Sequence, residues 1–142
     1  MSTFVLDNSV AMRWLLASNK SSDQHYAETV LDSLLENEAV VPGLWHLEAA
    51  NVMLEAERRG VLQAGETEKF LCQLERLPIR VDNGTASQAF GRTLSLARTF
   101  RLSSYDASYL ELSIRENLPL ATLDKKLARA AERTEVELYL RD

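Results

Sequence analysis

The sequence contains one cysteine, Cys72, in 142 residues. An internal disulfide is therefore excluded, and such usage suits a reducing compartment. Cys72 lies in "KFLCQLERL" at helical spacing with Phe70 and Leu74, which predicts a core side chain. Prolines number only three, and no repeat, low-complexity tract or linker interrupts the chain. Disorder and a string of separate modules are both disfavoured. No apolar run approaches the ~20 residues of a membrane span, and no basic segment followed by a long apolar one opens the chain. We expect a soluble, cytoplasmic protein that makes no use of a membrane. Positive charge is scarce as well, with 16 Lys and Arg against 21 Asp and Glu and a formal net charge of −5. That balance excludes a protein that coats nucleic acid indiscriminately. It leaves a nuclease open, because an acidic metal site subtracts charge while basic residues cluster elsewhere. The two histidines, His25 and His46, lack a metal-ligand spacing, and His46 reads as a helix-surface or interface residue.

What is present is the composition of a folded protein, 46% hydrophobic and 26% charged. The length fits one domain over 1–142, burying about two-thirds of its unfolded surface. Short β-branched or apolar runs, "TFVL" (3–6), "AVVP" (39–42), "LPIRV" (77–81), "LPLATL" (118–123) and "VELYL" (136–140), read as strands. Helical patterns lie between them near 9–17, 23–36, 44–59, 65–76, 84–100, 104–116 and 124–133. Gly60 follows the basic end "ERR" of one pattern, and Pro119 follows another that ends near Asn117, as helix stops require. Strands separated by helices predict an α/β fold with a mostly parallel central sheet covered on both faces.

In open parallel sheets, ligand groups gather beyond the carboxyl ends of the strands. Asp7 ends the first strand pattern and Asp124 follows "LPLATL", so two acids distant in sequence are expected at one sheet edge. Each has a plain explanation too. Asp7 or Asn8 could cap the next helix, Asp124 could cap "KKLARAAER", and "SSYD" fits a capping box from Ser103 to Asp106. Glu48 shares a polar stripe with Asn51, Glu55 and Arg58 that could be the wet face of a helix. The conjunction carries more weight than any one member. Glu48 and Asp106 sit in helices apolar enough to be largely buried. Two carboxylates ~4 Å apart repel by about 4 kcal/mol even at an effective dielectric near 20. A convergent set must take up protons or hold a cation. Oxygen ligands without a Cys/His set suit Mg²⁺ or Mn²⁺ rather than zinc. Arg13, Lys125 and Lys126 are near this edge in sequence and are candidate contacts for substrate phosphates.

Four segments, "FVLDNSVAMRWL", "LWHLEAANVMLEAERRG", "SSYDASYLEL" and "LPLATLDKKLARAA", make the chain resemble the PIN-domain nucleases, most closely the VapC-type toxins of bacterial toxin–antitoxin pairs. They occur in that family's order, so the resemblance runs essentially from end to end. It implies a PIN-like three-layer sandwich and places metal-binding, catalytic acids at Asp7, Glu48, Asp106 and Asp124. It also implies supporting polar roles for Ser9, Thr122 and Asn51. Some PIN nucleases carry a further acid close to the fourth; here Lys125 and Lys126 follow Asp124. The chemistry implied is Mg²⁺-dependent hydrolysis of RNA phosphodiester bonds, with Mn²⁺ as a substitute. The partners implied are a VapB-type antitoxin, an RNA substrate and a second copy of the chain in a homodimer.

Other classes fit less well at named positions. A metal-dependent adhesion module wants a second serine where Ala11 stands. A phospho-receiver could use Asp82 at the end of a central strand, but Asn8 occupies the position of its neighbouring acid and "VELYLRD" supplies no lysine. A haloacid-type phosphotransferase expects an acid at Ser9. A PIN-like module that binds RNA or protein without cutting remains open at this stage.

Overall fold

Thr3–Leu6 forms a strand, β1, whose last three side chains are wholly enclosed, as an apolar run covered on both sheet faces requires. The computed structural model describes residues 1–141. Three further strands, β2 (Glu38–Val41), β3 (Ile79–Val81) and β4 (Leu120–Ala121), join β1 in the order β3-β2-β1-β4. Every pairing is parallel, with Phe4 opposite Ala39, Ala39 opposite Ile79 and Leu6 opposite Ala121. Two of the prolines, Pro78 and Pro119, stand just before β3 and β4, and Pro42 just after β2, so the missing N–H groups fall outside these strands.

Helices make the crossovers. Between β1 and β2 lie α1 (Asn8–Ala11), a 3₁₀ turn (Met12–Trp14) and α2 (Ser21–Ser33); between β2 and β3 lie α3 (Trp45–Arg58) and α4 (Ala64–Leu74). Then come α5 (Thr85–Gln88), a π turn (Ala89–Thr93), α6 (Leu94–Phe100) and α7 (Ser104–Glu116), and α8 (Lys125–Arg133) follows β4. The chain moves from β1 to β2 to β3 in one direction, then returns to lay β4 against the other side of β1. Right-handed crossovers in opposite directions place their helices on opposite faces, which produces the layered α/β architecture. The reversal also creates a switch point between the carboxyl ends of β1 and β4.

Several expected elements differ. "VELYL" is not a strand: Leu138 bridges Leu120 alone, and the chain turns with Leu140 in the left-handed region at φ 55. Its apolar character serves packing instead, since the Tyr139 ring stacks 3.8 Å from that of Phe4 and its hydroxyl donates to Ser33 Oγ. The pattern over 9–17 shortens to one α turn and one 3₁₀ turn, and that over 84–100 is interrupted by the π turn, which buries Thr93 and leaves Phe90 94% exposed. Cys72 is exposed, so its expected core position is wrong; on α4 the inward residues are Thr67 and Phe70. Asp82 follows an edge strand rather than a central one. Gly60, at φ +74, ends α3 as expected. No helix among the described residues is long and apolar enough to cross a membrane.

Candidate active site

Asp7 immediately follows β1 and occupies the N-cap position of α1, yet its side chain caps nothing. Its Oδ2 instead accepts hydrogen bonds from Ser9 Oγ (2.6 Å) and Thr122 Oγ1 (2.7 Å). Those hydroxyls are themselves oriented from β4's exit, where Leu123 N–H donates to Ser9 Oγ and Asp124 N–H donates to Thr122 Oγ1. The switch point is thus stitched together around one carboxylate oxygen. Among the described residues, Oδ1 takes no hydrogen bond. Asp7 is 6% exposed, and burial pushes its carboxyl up to about 6 against the pull of the two hydroxyls; the charges of Asp106 and Glu48 push the same way.

Glu48 projects from the first turn of α3. The Tyr109 hydroxyl donates to its Oε1, and Asn8 Nδ2 approaches the same oxygen at 3.4 Å while donating to the Trp45 carbonyl at 3.0 Å. Burial raises the Glu48 carboxyl, its two donors oppose that, and Asp106 adds to it. Asp106 lies in the first turn of α7, whose N-cap Ser103 accepts its backbone N–H. Its carboxyl is raised by burial and then by the charge of Asp124, with Ser103 and the ammonium of Lys126 pulling the other way. Asp124 does cap its helix: Oδ1 accepts from the N–H groups of Lys126 and Leu127. The capping reading therefore fails at Asp7 and is correct at Asp124.

The four acids feel one another's charge in a chain, Asp7 with Glu48 and Asp106, Asp106 with Glu48 and Asp124. Among the described residues, no three acid, histidine or cysteine side chains close into a ready-made metal cage. The donor set nevertheless fits a hard cation. Asp7, Glu48 and Asp124 each use one oxygen for protein hydrogen bonds and leave the other without one. Oxygen-only donors anchored in this way suit Mg²⁺ or Mn²⁺.

The other expected residues separate. Ser9 and Thr122 are joined to Asp7 directly. Asn51 is exposed on α3, and its side chain makes no hydrogen bond among the described residues. Lys126 reaches Asp106 electrostatically, whereas Lys125 is exposed and Arg13 Nη1 is bound to the Leu16 carbonyl. Two residues around these acids were not assigned to the site from the sequence. Tyr109, wholly buried, sits one helical turn after Asp106, the i to i+3 spacing that places both on one face; its aromatic ring reads from sequence as core. Its hydroxyl is held protonated by burial and then by the negative charge of Asp7, among other acids. Asn8, next to Asp7, leaves Oδ1 buried without a partner among the described residues.

A parallel α/β sheet with the buried Asp7 at its switch point and the half-buried Glu48, Asp106 and Asp124 around it defines the class of protein. The chain matches the family described as PIN domain over residues 4–133 and belongs to that family, whose members are in general metal-dependent nucleases. No curated protein matches it. Among solved structures it is similar to the crystal structure of PAE2754 from Pyrobaculum aerophilum, at TM-score 0.65 and 20% identity over 92% of this chain and 87% of that one. It is also similar to the crystal structure of FitAcB from Neisseria gonorrhoeae, at TM-score 0.58 and 18% identity over 98% and 96% of the two chains. At such identities the likeness is one of fold.

Proposed function

We propose that the chain is a Mg²⁺-dependent endoribonuclease, the toxin of a VapBC-type pair working in the cytoplasm and held in check by an antitoxin. The observation that carries the reading is Asp7: a carboxylate clamped by two hydroxyls instead of capping its helix, in a buried setting shared with Glu48 and Asp106. Asp7, Glu48, Asp106 and Asp124 would hold the ion. When bound, it would supply Lewis acidity toward a phosphoryl oxygen and make an attacking water more acidic. Ser9 and Thr122 fix the plane of Asp7, and Tyr109 with Asn8 fixes Oε1 of Glu48. Orientation of this kind is what in-line hydrolysis of a phosphodiester asks of the protein. Lys126, whose charge acts on Asp106, would meet a substrate phosphate. Water adds to phosphorus, the bond to the leaving ribose oxygen breaks, and that oxygen takes the proton.

The test compares wild type with Asp7→Asn on defined RNAs, with and without chelator. Cleavage lost in the variant and in chelator supports the reading, and equal cleavage in every case ends it. The open spacing of the acids favours a second reading, a PIN-like module that binds RNA or protein without cutting. Product analysis separates the two. The toxin role further expects a partner whose basic side chain, arginine for its forked geometry, covers Asp7 or Asp124, and a homodimer in solution.

A further inference from the structure

We infer that a single strand of RNA leaves the acid cluster along one face of α8, held by Lys126, Arg129 and Arg133, with Phe100 and Arg101 alongside. The inference rests on the nuclease reading and identifies the surface that carries its substrate. Although the chain is acidic, residues 92–133 hold eight of its 16 Lys and Arg and only five of its 21 Asp and Glu. Of those five, Asp106 and Asp124 belong to the site, while Glu111 and Glu116 are bound to Arg115. Lys126, Arg129 and Arg133 recur at spacings of three and four, one row on the helix over roughly 10 Å of its axis. Like charges at these spacings destabilise a helix. Among the described residues, none of the three is in an ion pair.

Geometry joins this row to an aromatic ring and to the site. Phe100, Lys126, Arg129, Ala130 and Arg133 line one cavity of about 140 Å³. The Arg133 guanidinium lies over the Phe100 ring, 5.6 Å from its centroid, a planar cation on a π face that a base can extend by stacking. At the other end the Lys126 backbone N–H donates to Asp124 Oδ1 at 2.9 Å, so the row begins on a residue bound to the fourth acid. Arg101, next to Phe100, ends α6 in the left-handed region at φ 56, where glycine is the least strained residue. Arginine there gives up backbone ease and adds a cation next to Phe100 in the chain. A row of cations with one aromatic ring against it fits phosphates and an unstacked base, which favours a single strand over a duplex.

The experiment measures fluorescence anisotropy of a short labelled single-stranded RNA in EDTA across a salt series. It compares wild type, Arg129→Gln/Arg133→Gln, Arg101→Gly and a charge-matched control, Lys69→Gln/Arg76→Gln, whose residues are exposed on the far side of the sequence. The α8 pair should weaken binding about tenfold or more at ~0.1 M salt and flatten the log–log salt slope by about 1.4, the loss of two phosphate contacts to a single strand. The control should change little. Arg101→Gly should bind less tightly yet melt no lower than wild type, which separates lost charge from lost fold. Equal losses in both pairs, or in neither, overturn the inference, as does a wild type that binds no RNA. Binding a polyglutamate peptide as tightly as RNA also overturns it and reassigns the face to an acidic protein. Cleavage in Mg²⁺ distinguishes the two proposals. RNA cut with unchanged KM by the α8 pair defeats the track alone, whereas RNA bound through α8 but never cut defeats the nuclease alone.

Discussion

A carboxylate whose one oxygen is fixed by two hydroxyls is oriented but poorly solvated, and at Asp7 the second effect wins: burial lifts its carboxyl from 3.8 to about 6. The folded protein therefore binds this proton more tightly than the unfolded chain does. The stabilisation linked to that proton is full below about pH 4 and is lost as pH rises through 6, so at pH 7 the ionised Asp7 works against folding. Asp7→Asn should stabilise the metal-free protein at pH 7 by about 1–3 kcal/mol, the upper end being the two-unit shift. Urea melts should show the difference closing as pH falls to about 4. A gain that persists unchanged at pH 4 would mean that the asparagine improves packing rather than removes a charge. Tyr109→Phe has the opposite sign, since it deletes a donor to the half-buried Glu48 and should cost about 1 kcal/mol. In an RNA-cleaving enzyme it should lower kcat more than it raises KM, because the binding surface is intact. At this scale the positions of Asp7 and Asp124 at one sheet edge were readable from the apolar runs they follow. The hydroxyl on Tyr109 was not, because a buried aromatic side chain looks the same in sequence whether or not its polar end is used.

Helix α7 brings Asp106 and Tyr109 to the site, and its far end is fixed by a second set of contacts. Arg115 Nε meets Glu111 Oε2 at 2.7 Å and Nη2 meets Asp82 Oδ2 at 2.7 Å, tying α7 to the turn that follows edge strand β3. The Glu111 side chain is 1% exposed, so Arg115 stands where water would otherwise solvate its carboxylate. Arg115→Gln leaves that carboxylate buried and unpaired, and should cost about 3–5 kcal/mol. Replacing both partners by apolar residues, Arg115→Met with Glu111→Leu, should recover much of it. Equal instability of the single and double variants would place the effect in packing alone. Gly84 belongs to the same arrangement, because a Cβ there would stand 2.8–3.0 Å from three guanidinium atoms. The Arg115 contact also holds the Asp82 carboxyl below its ordinary value, so that part of the stabilisation disappears on acidification through that range. The sequence placed α7 at 104–116 correctly but could not reveal this contact, which links residues 33 apart. The same limit explains "VELYL": its strand composition is genuine, yet only Leu138 meets a partner strand, and its large side chains are used against Phe4 and Ser33.

Across the whole molecule, alternating apolar runs and helical patterns were enough to read a parallel α/β fold, because parallel strands require helical crossovers. Strand order was not readable, and strand order creates the site by returning β4 to the side of β1. The result is polarised: raised, mutually repelling acids at the switch point and a basic row on α8 beside them. Such an acid set is destabilising until a cation joins it, so metal binding and folding should be coupled. Mg²⁺ or Mn²⁺ should raise the melting temperature of wild type at pH 7, corresponding to about 2.7 kcal/mol at a hundredfold excess over Kd. At pH 5 the rise should be smaller, because a proton on Asp7, held with a value of about 6, competes with the metal. Asp7→Asn, more stable from the outset, should respond weakly at both values. Differential scanning fluorimetry over a metal series at the two pH values measures all three outcomes. If wild type and Asp7→Asn rise equally, the ion is bound elsewhere, and the clamp of Ser9 and Thr122 is serving the architecture of the switch point rather than a metal.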